Sequence, residues 1–415
     1  MISKKNDKTT LMALLTIALI VLLIIGSVFF YQLPIQRYEK RRDMMGTYVR
    51  IVVYHHDEAH AMESIDSAYA RIEDVVSVAS RYDPSSELYI LNDDGRLEAA
   101  SPTLIELIQK SIDIYEITGG AFDITITPLL NLWTDEFELT TIDSGYETDL
   151  NNGILSESLR DEFEDIEPPI YPLNETPVVT ITGNGWTISS SWQNYYVYQH
   201  DTELSVSTNF WNLPYDTQEH YIDITKQYVG SDKITIDGNS IELEEGMSLT
   251  LDGIAKGYAV DKAIEELQSN GIESALVDAG GDIATLGTRS EGKKWTIGLR
   301  NPEDEMESIM EFGLSGQAIA TSGNYERYFD EEAQVGHIMD PNTGRSIYKS
   351  SSATIITGDC TMADALATAV FVLGPEDGTA LVNSLDETES LILCYEDPTS
   401  LSSSDGISDY IINEG

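Results

Sequence analysis

Residues 47–54 read TYVRIVVY, alternating and β-branched as a strand should be. The period then changes. Over 59–80 apolar residues recur at helical spacing, and a second helix is expected over 103–117, with Ser101 and Pro102 as cap and first-turn residues and Gly119-Gly120 as its stop. From residue 233 a regular pattern predicts a strand over 233–241, an amphipathic helix over 255–269 and a buried strand over 274–277. A turn at Gly280-Gly281-Asp282 follows, then a strand over 295–299, a helix over 362–373 and a closing strand over 391–395. This mixture is read as an α+β fold, and no internal repeat is visible.

Two stretches break the pattern. Residues 134–229 are rich in acids, interrupted by Pro168-Pro169, and carry Trp186, Trp192, Tyr195, Tyr196 and Trp211. Within them VVTIT, Asn184-Gly185 and WTISSSW predict a β-hairpin, because Asn-Gly supplies the positive φ angles of its turn. The stretch is expected to be an insertion or lid on the main domain. The other stretch, 11–30, is apolar, uncharged and preceded by Lys4, Lys5 and Lys8. Twenty helical residues rise about 30 Å, the thickness of a bilayer's hydrocarbon core.

The expected organisation is therefore a tail at 1–10, a transmembrane signal-anchor at 11–31, a basic linker at 32–43 and a domain at 44–415 that carries the insertion. Absence of a nearby cysteine excludes a lipoprotein anchor. Arg37, Lys40, Arg41 and Arg42 oppose the N-terminal lysines in the positive-inside comparison. A single-pass protein of the cell membrane is expected, with its body extracytoplasmic.

Composition narrows the partners. The 415 residues carry 71 acidic and 24 basic side chains, a formal net charge of −47. Nucleic acid is excluded as a partner, since its phosphates are bound by Lys and Arg. The acidity fits a solvated surface, and equally adaptation to high salt, where the Debye length falls to about 3 Å near 1 M. Cys360 and Cys394, far apart and beside apolar residues, form neither a disulfide framework nor a metal knuckle.

Several segments could carry chemistry. Asp364 and Thr368 stand i, i+4 on one expected helix face, offering a carboxylate and a hydroxyl to the same hard cation. A carboxylate near a helix start is equally a cap or a first-turn charge. Gly253-Ile254-Ala255-Lys256-Gly257 places a glycine-flanked lysine where backbone N–H groups favour an anion, although its spacing is not that of a Walker loop. His337 and Asp340, in HIMDPNTG, suit a proton-handling pair or simply build a turn. Thr321-Ser322-Gly323 and Gly120-Ala121-Phe122-Asp123 each serve as a ligand cradle or a chain reversal.

Taken in order, Met45-Gly46-Thr47, SRYDPSSE (80–87), GAFDIT (120–125), GIAKGY (253–258), Gly280-Gly281-Asp282, Thr321-Ser322-Gly323, HIMDP (337–341) and DALAT (364–368) resemble the FAD:protein FMN transferase, or ApbE-like, family from about residue 44 to 374, apart from the inserted region. The resemblance implies an ApbE-like mixed α/β domain. It implies cleavage of FAD as substrate, loss of AMP, and transfer of FMN to a threonine hydroxyl of an acceptor protein, expected to be a membrane-associated redox subunit. Carried over by position, Met45, Tyr82, Ala121, Phe122, Asp123, Thr250, Lys256 and Ile338 are implied nucleotide contacts. Asp364, Thr368 and the Gly253 carbonyl are implied Mg²⁺ ligands. His337 is implied in catalysis, with Asp340 orienting or replacing it. Thr250 stands where the family commonly has aspartate, and Asp252 where glycine is usual. Two other readings use the same residues: an FAD pyrophosphatase with water as nucleophile, and a non-catalytic flavin-binding protein.

Overall fold

The computed structural model describes residues 12, 14–21, 34–134, 136–139, 179–183, 186–191, 194–198, 205–213, 215–300, 308–323, 328–330, 335–395 and 400–412. Its centre is an eight-stranded sheet whose spatial order follows the chain: β1 (Gln36–Met44), β2 (Thr47–His55), β3 (Ala275–Ala279), β4 (Asp282–Leu286), β5 (Ala318–Gly323), β6 (Ser350–Thr357), β7 (Glu389–Cys394) and β8 (Leu401–Ser403). Every neighbouring pair is antiparallel.

The two-residue period decides what each face meets. Val49, Ile51 and Val53 of β2 enter the large core beneath the helices, while Val52 belongs to a second core on the opposite face. That second core is closed by the hairpin Trp295–Arg300 and Ser308–Leu314, through Trp295, Ile297, Leu299, Phe312 and Leu314. The layers are helices, sheet and hairpin.

Between residues 34 and 412 the described α-helices are α1 (Glu58–Ala79), α2 (Glu87–Asp94), α3 (Pro102–Ile117), α4 (Thr127–Thr134), α5 (Tyr215–Lys226), α6 (Ala255–Ser269), α7 (Cys360–Leu373) and α8 (Pro375–Val382). Asp57 and Ser101 cap α1 and α3 by accepting from His60 N and Leu104 N, and Pro102 opens α3 as expected. Helices α1, α6 and α7 lie on the large core; Ile65, Ile72, Val260, Ala263, Leu366 and Val370 are fully buried there.

Two expectations are corrected. Most of the basic segment 32–43 is strand rather than linker, since β1 pairs with β2 over nine positions and its Lys40 and Arg42 bind Asp66 on α1 at 2.6 and 2.8 Å. The expected strand at 233–241 is a short hairpin, Thr235–Asp237 with Ser240–Glu242.

The stretch 134–229 contains a five-stranded antiparallel sheet, ordered Glu136–Leu139, Ser205–Asn209, Val179–Gly183, Trp186–Ser191 and Asn194–Tyr198. The predicted hairpin supplies two of its strands, although Asn184, Gly185, Pro168, Pro169 and Trp192 lie outside the described residues. On the C-terminal side Phe210, Leu213 and Ile222 pack with Leu129 and Trp133 of α4 in a third apolar cluster. Among the described residues no helix is long and apolar enough to cross a membrane. Much of 11–31, and the tail before it, lies outside the described residues.

Candidate active site

The meander brings chain reversals to one end of the sheet. The β1–β2 turn is Met45-Gly46, with φ of +54° and +71°. The β3–β4 turn is Gly280-Gly281, and Ala279 pairs with Val49 beside the first turn. At Gly280, φ is +68° and an added Cβ would run into the Thr47 side chain, so glycine is required on both counts. A non-glycine residue at positive φ is uncommon, and Met45 is held there at the rim of a cavity of about 870 Å³. That volume lies in the range of small-molecule sites.

This cavity collects nearly every residue singled out by the sequence. Met45 and Tyr82 stand at its rim, and Ala121, Phe122 and Asp123 line it from the loop after α3. Thr250, Gly253 and Lys256 come from the entry to α6, His337 and Ile338 from the loop before Met339–Asp340, and Asp364 and Thr368 from α7. Asp340 is not on the wall. Its Oδ1 accepts from Asn342 N at 2.8 Å and its carbonyl from Gly344 N at 2.7 Å, so it builds the turn.

Asp364 and Thr368 lie one turn apart on α7, as expected. Asp364 is 4% exposed, and its Oδ2 accepts from Gly257 N at 2.9 Å. The anion that the start of α6 holds is thus the protein's own carboxylate. Gly257 has a packing reason as well: an added Cβ would lie 2.8 Å from Asp364 Cβ and collide with the Cys360 carbonyl. An added Cβ at Gly253 would lie 3.3 Å from both Thr368 Oγ1 and Phe122 Cε2, which places Gly253 beside Thr368. Ser322 Oγ and Thr368 Oγ1 are 3.2 Å apart.

Two cations of the wall, Lys256 and Arg81, are paired. Lys256 forms an ion pair with Asp282, which is 2% exposed; burial pushes that carboxyl up, against the pull of the lysine. Asp278 beside it takes Arg50 Nη2 at 3.2 Å. Arg81 Nε stands 3.3 Å from an Asp252 oxygen, and Arg81 Nη2 donates to the Tyr82 hydroxyl at 2.6 Å, on a side chain 68% exposed.

Asp123 holds its own loop: Oδ1 accepts from Thr125 N, Thr125 Oγ1 and Ser231 Oγ at 2.8, 2.6 and 2.7 Å, while burial raises its pKa. Thr250 N donates to Ile124 O at 2.7 Å, joining that loop to the entry of α6, and Thr250 Oγ1 accepts from Asp252 N at 3.2 Å.

The His337 loop rests on α4 and α5. Trp133 Nε1 donates to Gly344 O at 2.9 Å, and Val335 and Met339 join the third apolar cluster. Arg345 reaches Gln218 Oε1 at 2.9 Å and Glu219 Oε1 at 2.7 Å.

Sequence reasoning did not assign Asp282 as partner of Lys256, nor Arg81, Asp252, Ser322 or Arg300 to the cavity wall. Arg81 and Ser322 sit inside motifs already quoted, next to assigned residues; Arg300 offers no local signal beyond ending a strand.

Comparison with known proteins agrees with this geometry. The ApbE family model matches residues 45–152 and 199–392. An FAD:protein FMN transferase of Vibrio cholerae is 27% identical over 319 residues, 75% of this chain and 74% of that protein. One from Escherichia coli K12 is 25% identical over 343 residues, 81% of this chain and 79% of that protein. The crystal structure of the ApbE protein of Thermotoga maritima superposes with a TM-score of 0.65 at 25% identity, covering 91% of this chain and all of that one.

Proposed function

The chain belongs to the ApbE family, and from that premise we propose that it is an FAD:protein FMN transferase, cleaving FAD between its phosphates and joining FMN to a threonine hydroxyl of an acceptor protein with release of AMP. The observation that carries this reading is one cavity that gathers Met45, Phe122, Lys256, His337, Asp364 and Thr368 from five separate segments.

The reaction places demands on those residues. A pyrophosphate carries charge that must be met where the bond breaks, and the Lys256 ammonium, held by Asp282, stands on the wall to bind it. Phe122, Ala121 and Ile338 give the flavin ring an apolar wall. The threonine proton needs an acceptor, which is the His337 imidazole; Asp340 orients its loop through the turn rather than taking the proton itself.

Among the described residues no group of three or more His, Cys, Asp or Glu could hold a metal ion. Asp364 and Thr368 line the cavity from α7 and Gly253 stands beside Thr368, so one carboxylate, one hydroxyl and one backbone carbonyl are the proposed donors. Such an all-oxygen set fits Mg²⁺, which keeps other positions for water and phosphate. When bound there, Mg²⁺ neutralises phosphate charge and orients the leaving AMP.

The apolar segment 11–31 supports a single-pass anchor at the cell membrane, with the catalytic body outside and a membrane-associated redox subunit as acceptor. Carbonate extraction tests the anchor; recovery in the soluble fraction refutes it. Mass spectrometry of an acceptor co-expressed with this chain tests the reaction. A gain of one FMN is expected with wild type and none with Asp364→Ala. AMP release without a mass gain means that water is the nucleophile, and full transfer by Asp364→Ala refutes the assignment.

A further inference from the structure

The residues proposed to bind the cation come from two helices. Gly253 precedes α6, while Asp364 and Thr368 ride on α7, so the register of one helix against the other sets how the three oxygens meet. Two contacts hold that register. The first is Gly257, whose N–H donates to Asp364 and whose missing side chain lets α6 touch the first turn of α7.

The second lies one turn further along α6. Asp261 Oδ1 accepts from Cys360 N at 2.8 Å, and its Oδ2 accepts from Thr361 N and Thr361 Oγ1 at 2.8 and 2.5 Å. The first N–H groups of a helix have no partner within it. At α7 the local cap Asp359 takes Met362 N at 2.9 Å through its side chain and Ala363 N at 3.2 Å through its carbonyl. The other two donors go to Asp261, on a different helix and about one hundred residues earlier in the chain. A carboxylate at that end is also favoured by the helix dipole. Asp261 does not line the cavity, and it touches none of the groups assigned to substrate.

Resting on the function proposed above, we infer that Asp261 is a positioning residue for the cation site: by capping α7 from α6 it holds Asp364 and Thr368 in register with the Gly253 carbonyl. The inference concerns a residue that the reaction itself does not call for. Asp261→Asn keeps the shape of the side chain, but it replaces one accepting oxygen with an N–H₂ group that faces donors.

The test is Mn²⁺ binding to the purified full chain without acceptor, followed by the paramagnetic signal of free Mn²⁺, with FAD binding measured alongside. In Asp261→Asn the Kd for Mn²⁺ is expected to rise about tenfold, the low end for residues that orient metal ligands. With an acceptor protein added, the Mg²⁺ concentration needed for half-maximal AMP release rises in parallel, while kcat at saturating Mg²⁺ and the affinity for FAD stay close to wild type. A purely structural cap would lower the melting temperature and leave the cation affinity of the folded protein unchanged; that result overturns the inference. If Asp261→Asn does not fold, Thr361→Val decides, because it removes one donor to the same carboxylate: weakened Mn²⁺ binding supports the assignment and wild-type binding overturns it. A wild-type chain that binds Mn²⁺ but releases no AMP from FAD when an acceptor protein is supplied refutes the transferase reading and leaves this comparison to stand or fall by itself.

Discussion

Gly257→Ala tests the idea that close contact between α6 and α7 builds the site. The new methyl carbon would sit 2.7 Å from the Cys360 carbonyl carbon and 2.8 Å from Asp364 Cβ, and closer still to the Cys360 carbonyl oxygen. Carbon atoms rest about 3.5–4.0 Å apart, so the helices must part by about 1 Å. Overpacking of this kind costs about 1–3 kcal/mol, and the backbone on the receiving side leaves little room to give. Alanine recovers up to about 1 kcal/mol through its helix propensity. A net loss of up to about 2 kcal/mol remains, which lowers the melting temperature by roughly 2–4 °C per kcal/mol. The chemical effect should be larger than the thermal one. The same displacement breaks the Gly257–Asp364 hydrogen bond, and a 1 Å error at reacting groups costs about 10²-fold in rate. Gly358→Ala is the control: no atom lies within 4 Å of its added Cβ and its φ is not in the left-handed region, so it should be neutral or gain up to about 1 kcal/mol. Differential scanning fluorimetry and AMP release measure the two effects. Wild-type melting and wild-type AMP release by Gly257→Ala would refute the reasoning.

Burial pushes the Asp261 carboxyl up to about 6, with Asp359 adding to the rise and the donors on Cys360 and Thr361 opposing it. A carboxyl raised on folding contributes stability that is fully present below its unfolded pKa near 4 and is lost as pH climbs through 6. Urea titrations from pH 4 to 7 should therefore show wild type losing about 2–3 kcal/mol relative to Asp261→Asn across that window; parallel curves would contradict the shift. Arg345→Met removes the tie between the His337 loop and α5. Because Glu219 is 41% exposed the stability cost should stay under about 1 kcal/mol, while transfer at saturating FAD slows with FAD affinity little changed; weaker FAD binding at normal turnover would count against the role. Cys360 is buried, with its thiol pKa pushed well up, and Cys394 is partly exposed, so a thiol reagent should label Cys394 first and Cys360 only on unfolding.

What could be read in advance follows the range of the forces involved. Helix α6 was legible to the residue because its apolar face repeats within fifteen positions, and β2 because alternation needs only neighbours. Strand β1 was hidden. Its sequence, QRYEKRRDM, looks like a solvated linker until the nine-residue pairing with β2 and the acids Asp66 and Glu73 on α1 are in place. Helix α5 was lost for a related reason: Ile222 is buried against α4 and the His337 loop, and local acidity masks that contact. In the site, the i, i+4 pair Asp364 and Thr368 was legible, whereas the Asp261 cap, joining residues 99 and 100 apart, leaves no local trace.

The charge balance bears on how such a chain receives an anionic dinucleotide. With a net charge of −47, the protein presents a repulsive field to any dinucleotide, yet Debye screening confines that field to about 8 Å at physiological ionic strength. Binding is therefore governed by the cavity wall rather than by the total. On that wall Lys256 already faces Asp282, and Arg81 faces Asp252. Each of these two cations arrives with a carboxylate, so the pairs give direction and hydrogen bonds while adding little net positive charge; Arg300 stands on the same wall. Asp364, Thr368 and the Gly253 carbonyl, proposed above as cation ligands, would add a further positive charge at the same wall. Substituting Asp282 would free Lys256 but strand a flexible ammonium without its anchor, which is why charge at this wall is set by pairing and register as much as by composition.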